Sequence, residues 1–347
     1  MNQFLLSNYS FDLPKELLAH EPPKNRVEAK LLNFSKSKIE HQSFSDIINI
    51  FDEPCLFVRN NTRVRKAKIC GYKDTGGKVD GLFYKNHAQN IWEGLFKKTK
   101  RLKVGDIVTF PNEVKTTIVD KLDGGVLHIQ FEENFDVELY LEEIGETPLP
   151  PYIKDYEGDF ERYQTVYSDK IGAAAAPTAG LHFDQNLIDK MIQKGFDFCD
   201  VTLHVGPGTF KPIDTEDIRD FKIHSEFIEI DQNAIDKIKS AKNKGIKIVA
   251  VGTTSLRAIE SVFLQNKLTK PFVGWTDIYL YPGAKVESID YLLTNYHLSG
   301  TSLLVLVASL IGYESLMNIY QEAILKKYRF FSFGDCMIVP NLSKKLE

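Results

Sequence analysis

Cysteine is scarce in this 347-residue chain, and its placement excludes two kinds of protein. Cys55, Cys70, Cys199 and Cys336 lie far apart and make no CxxC pair. Neither a disulfide framework nor a zinc site is suggested, and the four read as reduced core residues. The eight histidines show no HxxxH or HExxH spacing, and no GxSxG turn occurs, so metal-dependent hydrolysis and a serine esterase both drop out. No metal is expected. No apolar run reaches the roughly 18 residues of a membrane-spanning helix, and the longest, LLVLVASLIGY (303–313), reads as a buried helix or strand. The N-terminal MNQFLLSNYSFDLPKELL lacks a basic leader, a long apolar stretch and a small-residue cleavage site. The expectation is therefore no membrane and a cytoplasmic location. The GPGTFK stretch has GxG but Lys211 where a third glycine would stand, which argues against a Rossmann dinucleotide site.

What is present is an ordinary globular composition, 43% apolar and 26% charged, in a chain long enough for two domains. The net charge of -4 hides a polarised region. Residues 59–106 carry thirteen Lys or Arg against four acids, and residues 107–161 carry three bases against fourteen acids. Either a solvated surface or a phosphate-binding face fits that pattern. Between about 63 and 150, short strand-like runs (VRKAKICGY, GKVDGLFY, IWEGLF, GDIVTF, VKTTIVDKL, GVLHIQFE) alternate with turns such as DTGG and DGG, the pattern of a small barrel-like unit. Pro148, Pro150 and Pro151 close it. From about 160 the rhythm changes to strand and helix. IKIVAVG (246–252) reads as a buried strand, with Thr253, Thr254 or Ser255 available to cap the helix that follows. DQNLIDKMIQKG (184–195) reads as a helix ended by Gly195, and 301–328 contains at least one long helix.

Six compact segments combine glycine, small polar residues and one titratable group, as ligand loops do. They carry His182 (AAPTAGLHF), His204 (VTLHVGPGTFKP), Gly252 and Arg257 (IVAVGTTSLRAIES), Asp277 (GWTDIYLYPG), Asn295 and His297 (LLTNYHL) and Asp335 (FFSFGDCMIV). They read as loops around one cleft. GTTS after a buried strand puts amides and hydroxyls at a helix N-terminus, which suits a carboxylate or phosphate, although any βα turn looks alike. Each histidine also reads as an ordinary hydrogen-bonded structural group.

Together with FDLPKELLAHEPPKNRVEAKLL, NNTRV, WEGLFKKTKRLKVGD, LPPYI, RYQTVYS, HVGPGTFKP, HSEF, TNYHL and YRFFSFGD, these segments closely resemble the S-adenosylmethionine:tRNA ribosyltransferase-isomerase family of queuosine biosynthesis, in order and over nearly the whole chain. The departures are small: Ala173-Ala174 for Ser-Val, Pro207 for Ala, Arg65-Lys66 for Ile-Pro, and Ser299-Gly300-Thr301-Ser302 for Pro-Lys-Ser-Thr. The resemblance implies an α+β or α/β protein in which a small all-β barrel (63–155) is inserted in a larger α/β domain (1–62 and 156–347). It implies transfer and isomerisation of the ribosyl group of S-adenosylmethionine onto 7-aminomethyl-7-deazaguanine at the tRNA wobble position, giving epoxyqueuosine-tRNA with release of adenine and methionine. S-adenosylmethionine is then a consumed substrate, tRNA the partner, and no cofactor is needed. Such chemistry needs bases at the 5′ carbon and the attacking amine and an acid at the departing adenine. His182, His204 and His297 are the expected shuttles, with Asp277 and Asp335 binding ribose hydroxyls or the amine. Gly252, Thr253, Thr254 and Arg257 are expected to hold the methionine end. Arg63, Lys97, Lys98, Lys100, Arg101, Arg162 and Tyr163, with Tyr167, are expected to meet the tRNA. The rival readings are an S-adenosylmethionine-dependent RNA methyltransferase and a non-catalytic RNA-binding protein.

Overall fold

The computed structural model describes residues 2–345 apart from 36, 37, 151, 154, 155 and 211. Pro151 in the proline closure, Asp155 at the expected boundary and Lys211 of GPGTFK lie outside the described residues.

Four short strands, Asp197–Leu203, Leu56–Asn60, Ile248–Val251 and Tyr291–Asn295, run parallel in that order at the centre of a nine-stranded sheet. Ile248–Val251 is buried at every position, as a strand covered on both faces must be. Glu226–Ile230 and Phe272–Thr276 extend the sheet on one side. Cys336–Pro340, Lys30–Ser35 and Lys38–Ser43 extend it on the other. Strands from before and after the barrel segment thus share one sheet. Val58, Val201, Ala250 and Leu292 face a core shared with helices Gln232–Asn243, Gly252–Asn266, Ser302–Ile311 and Tyr313–Leu325. Their neighbours Phe57, Val249 and Leu293 pack on the other face against Phe44, Ile47 and helix Gln185–Gln193. That alternation is the period of two that a pleated strand imposes.

Six strands, Lys68–Lys73, Lys78–Ala88, Ile91–Phe96, Ile107–Phe110, Val114–Lys121 and Val126–Gln130, close into the barrel. Phe83, Trp92, Phe96, Phe110, Ile118 and Leu127 fill it. Gly81 is obligatory there, since a Cβ would lie 2.1 Å from the Phe96 ring. A helix the sequence reading left out, Val137–Ile144, packs Val137, Tyr140 and Leu141 into the barrel core and is capped by Asp136, which accepts from Leu139 N–H at 3.0 Å. The barrel joins the sheet through a short parallel pairing of Thr62–Val64 with Lys170–Ala173.

The helix after Ile248–Val251 starts at Gly252 itself (φ +87), with no side-chain cap. Thr253, Thr254 and Ser255 are therefore not caps, and the Ser255 hydroxyl donates back to Val251 O at 2.6 Å. The 301–328 run is two helices, broken at Gly312 (φ +82) with a bend of 115°. Among the described residues no single helix is long and apolar enough to cross a membrane.

Candidate active site

A narrow cleft, partly open to solvent, lies at the C-terminal ends of the central parallel strands. Ligands of α/β sheets bind at that edge because the strands hand over there to loops and helix N-termini. Here the loops are parted on one side by Asn60, which is fully buried. Its Oδ1 accepts from Leu203 N–H (3.0 Å) and Thr62 N–H (3.1 Å), and its Nδ2 donates to Leu203 O (2.9 Å). Five of the six segments singled out in the sequence line the cleft, through Ala176–Ala179, Val205 and Thr209, Gly252–Thr254, Thr294–Leu298, and Phe331–Ser332. Tyr152, from the end of the barrel segment, closes one wall by pairing its hydroxyl with Ser332 Oγ.

One polar atom of a residue lining the cleft, Thr254 Oγ1, is buried with no hydrogen-bond partner among the described residues. Such groups are costly unless something fills them. The first turn of helix Gly252–Asn266 also leaves its amides free of side-chain caps. Hydroxyl and amides together suit an anionic or polar ligand group.

Glu226 and Arg257 form a buried ion pair behind this turn. Glu226 Oε1 also accepts from Gly206 N–H (2.9 Å) and Thr209 Oγ1 (2.8 Å), so the pair fixes the loop that presents Val205 and Thr209. Burial alone would raise the Glu226 carboxyl; the Arg257 guanidinium, with His224, outweighs that and holds it at about 2. Arg257 is thus occupied by a carboxylate of the chain, although its Nη2 remains buried without a partner. Glu226 sits in HSEF, among the quoted motifs, yet was not recognised as a site residue.

Asn295 knits the opposite wall. Its Nδ2 donates to Phe331 O (3.1 Å) and Asp335 O (3.4 Å) and lies 3.2 Å from His182 Nε2, while its Oδ1 accepts from the Thr178 hydroxyl (3.1 Å). Of the three expected shuttles only His297 lines the cleft, where its Nε2 pairs with Thr294 Oγ1 at 2.9 Å and its N–H donates to Tyr320 OH at 2.7 Å. His182 is buried behind Asn295 against Phe44, at 5.2 Å between ring centroids. His204 points away from the cleft, stacked on Phe227 and paired with Thr62 Oγ1. Burial pushes His182 and His297 down to about 3, and burial followed by the Arg65 charge pushes His204 down to about 4.

The two aspartates do not line the cleft. Asp335 spends its carboxylate on Lys30 N–H (2.8 Å) and Arg329 N–H (2.7 Å), closing the turn that presents Phe331 and Ser332. Asp277 is exposed beyond the edge strand and lines no part of the cleft. The tRNA set divides as well. Tyr163 is fully buried against Phe333 and cannot stack on a base, and Tyr167 lies under Arg59, 4.3 Å from its ring. Arg162 donates to Pro23 O and Lys24 O, and Arg63 is engaged by Glu161 and Ser168. Lys97, Lys98, Lys100 and Arg101 are exposed together on the barrel turn after Ile91–Phe96. Among the described residues, His87, Glu93 and His128 converge on adjacent barrel strands. The two imidazoles stack with centroids 4.0 Å apart and planes 26° apart, so their in-plane lone pairs run side by side.

A cleft at the carboxyl edge of a parallel sheet, beside a barrel with an exposed basic turn, defines an enzyme of the α/β class that carries a small appended barrel. The chain belongs to the queuosine biosynthesis protein family, whose model matches residues 6–339. A protein of Clostridioides difficile named S-adenosylmethionine:tRNA ribosyltransferase-isomerase is 44% identical to it, over 96% of this chain and 98% of that one. One of the same name from Acetivibrio thermocellus is 43% identical, over 96% and 99%. The crystal structure of the S-adenosylmethionine tRNA ribosyltransferase from Thermotoga maritima is 28% identical, with a TM-score of 0.55 over 95% of this chain and 99% of that one.

Three histidines held neutral by burial make stability depend on pH. Their folded-state values lie below the ordinary 6.5, so the unfolded chain takes up their protons first as pH falls. The stability they contribute is full above about pH 6.5 and is lost as pH drops toward 3–4, at up to about 1.4 kcal/mol per pH unit for each. The urea midpoint should be lower at pH 5 than at pH 7, and His204→Gln should reduce that difference by removing one share. Equal wild-type midpoints at the two values would show that these groups are not held neutral.

Proposed function

We propose that this chain is an S-adenosylmethionine:tRNA ribosyltransferase-isomerase, moving the ribosyl part of S-adenosylmethionine onto 7-aminomethyl-7-deazaguanine at the tRNA wobble position and isomerising it to epoxyqueuosine. The observation that carries this is the near-full-length identity to the two relatives of that name. The cleft supports it. Its place at the carboxyl edge of the parallel strands is where α/β sheets hold small molecules, and Thr253, Thr254 and the Gly252 turn suit the methionine carboxylate. S-adenosylmethionine is a substrate here, consumed in each turnover, and the reaction asks for no further cofactor and no metal. Residues 1–62 and 156–347 would supply the pocket, with Tyr152 closing one wall, and 63–155 the barrel that meets the RNA.

His297 is the histidine placed to act, because it alone of the three faces the cleft. Burial favours its neutral ring, which leaves a ring nitrogen able to accept a hydrogen bond from the substrate. His182 acts through Asn295, and His204 belongs to the sheet face outside the cleft.

Incubation with S-adenosylmethionine and tRNA carrying the aminomethyl-deazaguanine should release adenine and methionine in equal amounts, read by chromatography. S-adenosylhomocysteine in their place would establish the methyltransferase, and binding without turnover the RNA-binding protein.

His297→Ala should lower turnover about a hundredfold, the size of a lost proton-transfer group, with the urea midpoint at pH 7 within the spread of surface variants. Near-normal turnover in the folded variant would remove His297 from the chemistry.

Neutralising Lys97, Lys98 and Arg101 together should weaken tRNA binding and flatten its salt dependence by a slope of about two, as three lost phosphate contacts require. Affinity for S-adenosylmethionine should hold. An unchanged salt slope would make the turn a merely solvated surface.

A further inference from the structure

One face of the main sheet is bare at its outer edge. Along strand Phe272–Thr276, Val273 is 65% exposed and Trp275 51% exposed. Helix Gly252–Asn266 packs on the opposite face, with Ile228 and Ile230. A large exposed indole on an edge strand is a liability for edge pairing unless something uses it.

Trp275 is the outermost of three rings. Phe227, on the neighbouring strand, meets it edge-on with centroids 5.8 Å apart. His204 stacks on Phe227 at 5.4 Å with planes 17° apart. The residue after His204 is Val205, in the cleft wall, so the rings step from the sheet edge toward the candidate active site. Cations border the steps. Lys85 Nζ, from barrel strand Lys78–Ala88, sits 4.9 Å over the Trp275 ring. Lys170 lies on the adjoining strand Lys170–Ala173, whose Gly172 packs against the His204 ring, and Arg65 and Lys170 both act on that imidazole. Aromatic steps bordered by lysine and arginine match an unpaired base and its phosphates. They match a protein partner poorly, because lysine is depleted in protein interfaces.

We propose that Trp275, with Phe227 and Lys85, is a stacking platform for an unpaired base of the RNA substrate beside the cleft. The proposal rests on the tRNA-modifying activity inferred above, and adds where a base outside the reacting centre is held.

The chain has two tryptophans, and the other, Trp92, is 2% exposed inside the barrel. Both indoles emit, but only Trp275 is open to a quencher stacked on the surface, so the RNA-dependent change in emission reports on Trp275. Titration with the substrate tRNA should quench wild-type emission, and Trp275→Phe should abolish the quench while filter binding persists. Trp275→Ala should raise the KM for tRNA about tenfold, within the range of one lost base stack, with affinity for S-adenosylmethionine unchanged. Lys85→Gln, which leaves the ring in place, should weaken tRNA binding and lower the salt slope by about one. Unquenched emission together with a wild-type KM in Trp275→Ala would overturn the platform while leaving the activity intact. So would loss of a dimer in Trp275→Ala by gel filtration, since the face would then be covered by a second copy. Absence of adenine release by the wild-type protein would instead refute the proposed activity.

Discussion

The Glu226–Arg257 pair is the constraint on which the cleft depends. Both side chains are almost wholly removed from water, and dehydrating two charges costs several kcal/mol each before any attraction is counted. The cost is offset by the mutual attraction and by further hydrogen bonds on each partner, Arg257 Nη2 excepted among the described residues. Glu226 takes an amide from Gly206 and a hydroxyl from Thr209, and Arg257 donates to Ile278 O. A pair of apolar residues would fill the same volume without that penalty, but it could not bind the 205–209 loop to the helix beginning at Gly252. The ion pair therefore sets a distance between two walls of the cleft, and removal of either partner would leave the other charge buried and the loop free.

The same logic separates residues that look alike. His182, His204 and His297 share a glycine-rich context in the sequence, and burial lowers all three. What differs is direction. His297 stands at the end of a parallel strand where the chain turns into the cleft, His182 stands one layer behind with Asn295 between, and His204 is on the opposite face of its strand from Leu203. Just past the strand's last residue, Leu203, Val205 lines the cleft while His204 stacks on Phe227.

Periodicity and turn chemistry carried the fold further than the site. All six barrel strands and the Ile248–Val251 strand were legible, because alternating or continuous apolar runs report burial directly. Helix Val137–Ile144 was hidden by its brevity and acidity; only three of its residues are buried. Five cleft segments were legible as mixtures of glycine and small polar residues, but the roles within them were not. Asp335 reads as a ligand, yet its oxygens go to backbone amides, one six residues back at Arg329 and one far away in sequence at Lys30. Tyr163 was read as a surface ring and is in the core. Glu226 was overlooked because its partner lies 31 residues away, where no spacing rule reaches.

Charge shows why a total says so little about a partner. The acidic stretch after the barrel's basic half is its counter-ion. Glu138 pairs with Arg65, Glu142 with Lys66 and Glu146 with Lys68, at 3.1, 3.1 and 2.7 Å. These pairs cancel the positive field on that flank of the barrel. They leave the turn after Ile91–Phe96, where Lys97 reaches Asp80 only at 3.9 Å and where, among the described residues, Lys98, Lys100 and Arg101 form no ion pair. The turn is also held in shape, since the Lys121 ammonium donates to Thr99 O and Leu102 O at its base. A polyanion approaching this part of the barrel would therefore meet positive potential at an ordered turn, which suits the phosphate contact proposed for it.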